Sequence, residues 1–346
     1  MTILLTGGAG FIGSNFALDW FADEHTANEQ IVNIDVLSYA SDLRNLSALK
    51  KNPKHHFIEG DINDSQLLQG IMAELRPRAI LHLAAESHVD KSIESPDPFL
   101  DSNIQGTYNL LEATRTYWAE LPDEEKLGFR FLHVSTDEVF GSLGLRDDAF
   151  NEDSSYLPSS PYSASKAASD HLVRAWGRTY GLPTLITNCS NNYGPRQFPE
   201  KLIPLTIVNA LAGNMLPIYG DGKHIRDWIY VSDHCSALRR VLKAGQVGES
   251  YVIGSRCEKT NLEVVTAICQ YLDDKVPDRR GSYKRLMQFV SDRPGHDRRY
   301  ALDPTKVETE LDWRPKETFD SGIEKTILWF ISQSRGFIPG DPELTN

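Results

Sequence analysis

The chain predicts an α/β fold, a doubly wound parallel sheet with a smaller, interleaved C-terminal ligand-binding domain. Three features lead there. Short apolar runs alternate with helical patterns through the first half. Those runs are near-continuously apolar, as strands covered on both faces must be. After about Asn191 the texture changes, and prolines and glycines crowd Gly194-Pro195, Pro199, Pro204, Pro217, Gly220 and Gly222.

In order, the patterns predict strand Ile3–Thr6, a helix from about Ile12 to Phe21, strands Ile31–Ile34 and His56–Glu59, a helix near Asp64–Leu75, and strand Ala79–Leu83. A longer helix near Phe99–Trp118 precedes strand Phe129–Ser135, helix Tyr162–Tyr180 and strand Pro183–Asn188. Strands separated by helices pair in parallel. The first domain is therefore expected over 1–190 and the second over 191–335, with 336–346 as a tail. Strand Trp228–Val231 and the helix after it (225–245 in all) are expected to return to the main sheet. Within Phe99–Trp118, the stripe Leu100, Ile104, Tyr108 and Leu111 reads as packing.

Bulk properties narrow the function. At 346 residues the chain can bury a sizeable core. A net charge of −12 argues against general nucleic-acid or membrane-surface binding. Cys189, Cys235, Cys257 and Cys269 form no C-x-x-C pair and read as buried reduced thiols, so a cytoplasmic protein is expected. The histidines lack metal-binding spacing, and no metal is expected. No apolar run is long enough to span a bilayer.

The first strand runs into Gly7-Gly8-Ala9-Gly10-Phe11-Ile12-Gly13 and then a helix. Glycines there allow a tight turn, close approach of a pyrophosphate, and tight helix–strand packing, with the helix N-terminus facing the anion. Asp35 ends the second strand, where a carboxylate accepts from ribose hydroxyls and repels a 2′-phosphate; NAD is favoured over NADP. Asp61 and Ile62, after the third strand, fall where adenine would lie, although an Asp there also suits a helix cap.

Strand Phe129–Ser135 delivers Thr136, Asp137 and Glu138 to the carboxyl edge of the sheet. Consecutive strand residues face opposite ways, so both carboxyls reach one substrate only if the chain leaves strand geometry at Thr136. Crowded carboxyls in a dry pocket split into an acid and a base. Tyr162 and Lys166 lie one helical turn apart on one face, which would let the ammonium stabilise a phenolate and make Tyr162 a base. That pair suggests hydride chemistry on a sugar or alcohol, and the acidic pair adds a second acid and base.

On these residues the chain resembles the extended short-chain dehydrogenase/reductase superfamily, a Rossmann fold, and within it the dTDP-glucose 4,6-dehydratase family. The matching segments are 6–15 (TGGAGFIGSN), 82–92 (HLAAESHVDKS), 135–142 (STDEVFGS), 161–170 (PYSASKAASD), 187–195 (TNCSNNYGP), 198–204 (FPEKLIP), 225–234 (IRDWIYVSDH) and 292–303 (DRPGHDRRYALD). Phe140 departs from the family's usual Tyr, and Arg196-Gln197 from its commonest residues.

The resemblance implies a redox-neutral dehydration of dTDP-glucose with NAD. Tyr162, helped by Thr136 and Lys166, would take the 4-hydroxyl proton; Glu138 the C5 proton; and Asp137 would protonate the departing 6-hydroxyl. It places Leu83, Ala84, Ala85, Ser102 and Asn192 with the cofactor. It places Ser87, Asn191, Lys201, Leu202, Arg226, Asn261, Arg293 and His296 against the nucleotide sugar, with Pro217-Ile218-Tyr219 at the base. Arg and Lys there suit a diphosphate on independent grounds. Dimerisation through a four-helix bundle is a further implication, formed by the Phe99–Trp118 and Tyr162 helices. A 4-epimerase or a dehydratase of another nucleotide sugar is the near rival, against which Asp137-Glu138 and the 292–303 segment argue. A silent NAD-binding regulator is the distant one.

Overall fold

The computed structural model describes residues 1–335, so the tail expected over 336–346 lies outside the described residues. Twelve strands are described: β1 (Thr2–Thr6), β2 (Gln30–Asp35), β3 (His55–Glu59), β4 (Ala79–His82), β5 (Arg130–Thr136), β6 (Thr184–Cys189), β7 (Asn191–Tyr193), β8 (Leu216–Tyr219), β9 (Ile225–Tyr230), β10 (Ser250–Ile253), β11 (Glu258–Thr260) and β12 (Met287–Val290). Seven form one sheet in the order β10-β6-β5-β4-β1-β2-β3, every neighbouring pair parallel. The order reverses between β1 and β4, and at such a switch point the carboxyl ends of the strands leave a crevice for ligands.

Both faces of the sheet are covered. Helix Phe11–Ala22 packs with helix Val231–Ala244 on one side, where Phe16, Trp20, Cys235 and Leu238 share a core with β1 and β6. On the other side Leu68, Met72, Leu110, Leu111 and Val173 come from helices Ser65–Leu75, Thr107–Ala119 and Pro161–Tyr180. A second core gathers Tyr193, Ile203, Ile207, Trp228, Val264, Ile268 and Ile327 around two small sheets, β11-β9-β7 and β12-β8. No helix among the described residues is long and apolar enough to cross a membrane.

Two expectations need correction. The strand at 225–230 does not return to the main sheet: β9 pairs with β7 and β11. Its side chains alternate between cores, Ile229 toward the first and Trp228 and Tyr230 toward the second, so it forms the seam. Only the helix after it rejoins the large core, and the short β10 takes the sheet edge beside β6. The helix near Phe99–Trp118 is also not uniformly α-helical, because Leu100–Gly106 is a π-helical stretch. Such a wide turn shifts the phase of the faces. Along this segment Leu111 is buried while Leu100 and Tyr108 are exposed.

Candidate active site

With the exception of Ile218, the residues singled out for catalysis, cofactor and substrate line one cavity of about 460 Å³ along the carboxyl edge of the sheet. The turn after β1 is built for close backbone approach. Gly7 has φ +71°, and a Cβ on it would stand 2.7 Å from the Ala84 amide nitrogen. A Cβ on Gly13 would stand 2.4 Å from the Gly7 carbonyl oxygen, so only glycine lets helix Phe11–Ala22 begin there. Asp35 is held by backbone donors, with Ala9 N–H on Oδ2 and Leu37 N–H on Oδ1, both at 2.9 Å. Each oxygen keeps a second lone pair for a ribose hydroxyl. Asp61 accepts from Asn63 N–H at 2.8 Å, and the cap of the following helix is Asp64 instead. Thr6 Oγ1 accepts from Leu83 and Ala84 N–H, which fixes the loop that continues to Ser87.

β5 ends at Thr136 and the chain turns at once into the short 3-10 helix Asp137–Phe140, the departure from strand geometry that two convergent carboxyls require. Thr136 caps it by accepting from Glu138 N–H at 3.2 Å. Behind this turn Phe140 is buried and stacks on Phe150 at 5.1 Å, a packing role that Phe fills as well as Tyr. Helix Pro161–Tyr180 opens with a Ser160/Ser163 capping box and sets Tyr162 and Lys166 on the cavity wall.

The two carboxyls differ in surroundings. Burial, then the neighbouring Glu138 charge, pushes the Asp137 pKa far above its ordinary value. Its Oδ2 is buried without a protein partner. Burial raises Glu138 as well, but Lys201, Arg293 and Arg226 pull it back toward ionisation. One carboxyl is thereby set to hold a proton and the other to accept one.

Tyr162 is buried beside Glu138. Burial and the Glu138 charge raise its pKa well above the usual phenol value, with the Thr136 hydroxyl opposing by hydrogen bonding to it. Lys166 donates instead to the Val134 carbonyl at 2.9 Å, and burial lowers its own pKa to about 8. Proximity along the helix does not by itself make the phenol a base.

At the other end, β9 and two loops bring the cations together. Lys201 Nζ donates to the Ser87 carbonyl at 2.6 Å. Arg226 is buried, donates to the carbonyls of Ile225 and Asp297, and lies 4.2 Å from the Tyr300 ring centroid. Arg293 pairs with Asp90 at 2.9 Å. Asn191 Oδ1 is buried without a partner, and Asn192 is tied to Ser190 and His234. Leu202 starts helix Leu202–Ala212, and Asn261 starts helix Asn261–Lys275. Pro217, Tyr219 and His296 line the far wall with them, while Ile218 is buried in the second core and does not reach the cavity.

Sequence reasoning missed Cys189, Asp90 and Glu200, which also line the cavity. Cys189 ends β6 in register with Thr136, so its place at the carboxyl edge was readable from the strand pattern. Asp90 and Glu200 carried no such signal.

Comparison with known proteins agrees with this geometry. The GDP-mannose 4,6 dehydratase family model matches residues 4–326. A dTDP-glucose 4,6-dehydratase of Neisseria meningitidis is 54% identical over 332 residues, covering 95% of this chain and 93% of the relative. The structure of DesIV, a dTDP-glucose 4,6-dehydratase from Streptomyces venezuelae with NAD bound, superposes with TM-score 0.87 at 42% identity, covering 98% of this chain and 99% of that one. A UDP-glucose 4-epimerase from Thermotoga maritima matches with TM-score 0.84 at 27% identity, covering 96% and 100%, so the fold is shared with epimerases. By sequence over nearly its full length, the chain belongs to the dTDP-glucose 4,6-dehydratase family.

Proposed function

We propose that the protein is an NAD-dependent hydro-lyase that converts dTDP-glucose to the 4-keto-6-deoxy sugar nucleotide, feeding deoxysugar biosynthesis. One observation carries the reading: two adjacent buried carboxyls, Asp137 pushed far up and Glu138 raised but drawn back by three cations, share a cavity with a Tyr-Lys pair. An epimerase has no use for that second acid–base pair.

The Gly7–Gly13 turn and Asp35 fit a dinucleotide, since a side chain at Gly7 or Gly13 would collide with backbone. NAD supplies a hydride acceptor that takes the C4 hydrogen and returns it to C6. Tyr162 removes the proton from O4, with the Thr136 hydroxyl holding the phenolate oxygen and the Lys166 charge close by. A ketone at C4 acidifies the C5 proton, which Glu138 takes. Asp137 gives its proton to the C6 oxygen, because hydroxide leaves poorly unaided. Lys201, Arg226 and Arg293 hold the diphosphate, and Pro217 and Tyr219 the base.

Residues 1–190 form the cofactor domain and 191–335 the sugar-nucleotide domain, with helix Val231–Ala244 and β10 joining the first. Exposed Leu100, Tyr108 and Tyr180 lie on the adjoining Leu100–Ala119 and Pro161–Tyr180 segments and support a homodimer through a four-helix bundle. The reduced cysteines fit a cytoplasmic location.

Incubation with dTDP-glucose deuterated at C4 tests the reading. Label is expected at C6 of a product that absorbs in base as a 4-keto sugar; label lost to solvent, or a 4-epimer as product, rejects it. Glu138→Gln is expected to cut dehydration by about 10²–10⁴-fold while hydride removal at C4 remains detectable.

A further inference from the structure

At the base end of the cavity, three side chains outside the catalytic turn form a closed set. His296 lies with its ring stacked on that of buried His224, centroids 3.7 Å apart and planes 12° off parallel. The Asp292 carboxylate bridges them, with Oδ1 2.6 Å from His296 Nδ1 and Oδ2 3.3 Å from His224 Nε2. Arg293 N–H also donates to Oδ1 at 2.9 Å. Gly220, at φ +57°, leaves the space: a Cβ there would stand 2.8 Å from Asp292 Oδ2.

An ionised carboxylate only accepts, so His296 Nδ1, which is hydrogen-bonded to it, carries a hydrogen. Burial, with Arg293 and Arg226 behind it, outweighs the Asp292 hydrogen bond and lowers the His296 pKa to about 4; burial lowers His224 too, against the Asp292 charge. A neutral imidazole has one N–H, which leaves the opposite nitrogen as an acceptor. His224 Nδ1 is buried without a partner. On His296 the acceptor is Nε2, on the ring edge away from Asp292, in a residue that lines the cavity.

We propose that Asp292, with His224 stacked behind, is a positioning residue that locks His296 in the Nδ1–H tautomer, so that Nε2 accepts a hydrogen bond from an N–H or O–H of the nucleoside. This rests on the nucleotide-sugar reading above. The ligand chemistry is a donor, which either the base imide or the ribose 3′-hydroxyl supplies. The three side chains also offer ligand atoms within 4.8 Å of one another, as a metal site would. Stacked rings, however, point their in-plane lone pairs along parallel planes, whereas a tetrahedral ion needs them to converge.

The test combines spectroscopy and kinetics on the full-length protein. Long-range ¹H–¹⁵N spectra are expected to show His296 protonated at Nδ1 in the wild type and in Asp292→Asn, which keeps an acceptor, and to show mixed tautomers in Asp292→Ala. Asp292→Ala is expected to raise KM for dTDP-glucose about tenfold with kcat within about twofold, and Asp292→Asn to restore most of it. Inhibition by dTDP, N3-methyl-dTDP and 3′-deoxy-dTDP identifies the donor: one analogue loses about tenfold against wild type and almost nothing against Asp292→Ala. A wild-type Nε2–H tautomer, an unchanged KM in Asp292→Ala, equal behaviour of all three nucleotides, or stoichiometric bound zinc would overturn the proposal. Product formation by the wild type is scored separately, so failure of the dehydratase reading is distinguishable.

Discussion

The two ends of the cavity achieve recognition by different physical means. At the proposed cofactor end, backbone shapes the cavity: Gly7 and Gly13 make room, helix Phe11–Ala22 begins there, and even Asp35 is oriented by two backbone amides. At the proposed nucleotide end, side chains drawn from loops and from β9 shape it, and most have partners inside the protein. Lys201 is held by a carbonyl, Arg226 by two carbonyls and an aromatic ring, and Arg293 by Asp90. A backbone cradle tolerates almost no substitution. A side-chain clamp degrades in steps, because each cation contributes separately.

Substitutions should expose that difference, and the largest effect belongs to the cradle. Gly7→Val combines a positive φ with a Cβ clash on Ala84, and loss of at least about 100-fold in NAD retention is expected, read as nucleotide released from the purified protein. Near-normal NAD content would break the comparison. Arg226→Lys keeps the charge but loses the planar fork; KM for the nucleotide sugar is expected to rise about tenfold with little change in kcat. A collapse as complete as that of Gly7→Val would mean that the clamp, too, is structural. Asp35→Asn is the intermediate case, a side chain inside the backbone-dominated end. Its preference for NAD over NADP is expected to fall about tenfold, measured as a ratio of binding constants.

The smallest effect near neutral pH falls on the seam between the two ends. His234 is buried, accepts no resolved partner at Nε2, and meets Asn192 through Nδ1 at 2.9 Å. Burial lowers its pKa from 6.5 to about 3. Below 6.5 the unfolded chain takes up a proton that the folded protein refuses, so this group removes stability as pH falls through that window. Buried Asp137 and Glu138, with raised pKa values, act in the opposite sense, so the difference between two proteins is the clean readout. Relative to wild type, His234→Phe is expected to lose less stability on acidification, by up to about 1.4 kcal/mol per pH unit in urea titrations. Parallel curves would show that the imidazole does not stay neutral.

Much of this was legible in the chain because it depends on local rules. Apolar runs placed the strands of the main sheet except β10, whose four residues carry too short a pattern to register. The glycine turn, Asp35 and the Thr136-Asp137-Glu138 turn could be read because spacing alone positions them at strand ends. The π-helical stretch at Leu100–Gly106 was not readable, since a wider turn leaves no mark in composition.

By itself the sequence determined the family, the sheet, and which residue types meet at its carboxyl edge, because strand ends and helical periodicity are set within a few residues. The residues by themselves left open which of two adjacent carboxyls keeps its proton, and only the resemblance assigned the roles; the tertiary structure decided the physical cause. Lys201, Arg226 and Arg293 reach Glu138 from distant parts of the chain while Asp137 stays dry. It also decided that Lys166 turns to the Val134 carbonyl, that β9 is the seam between two cores, and that Asp292 stands between two stacked imidazoles. Protonation and orientation follow from long-range packing and charge, which no local spacing encodes.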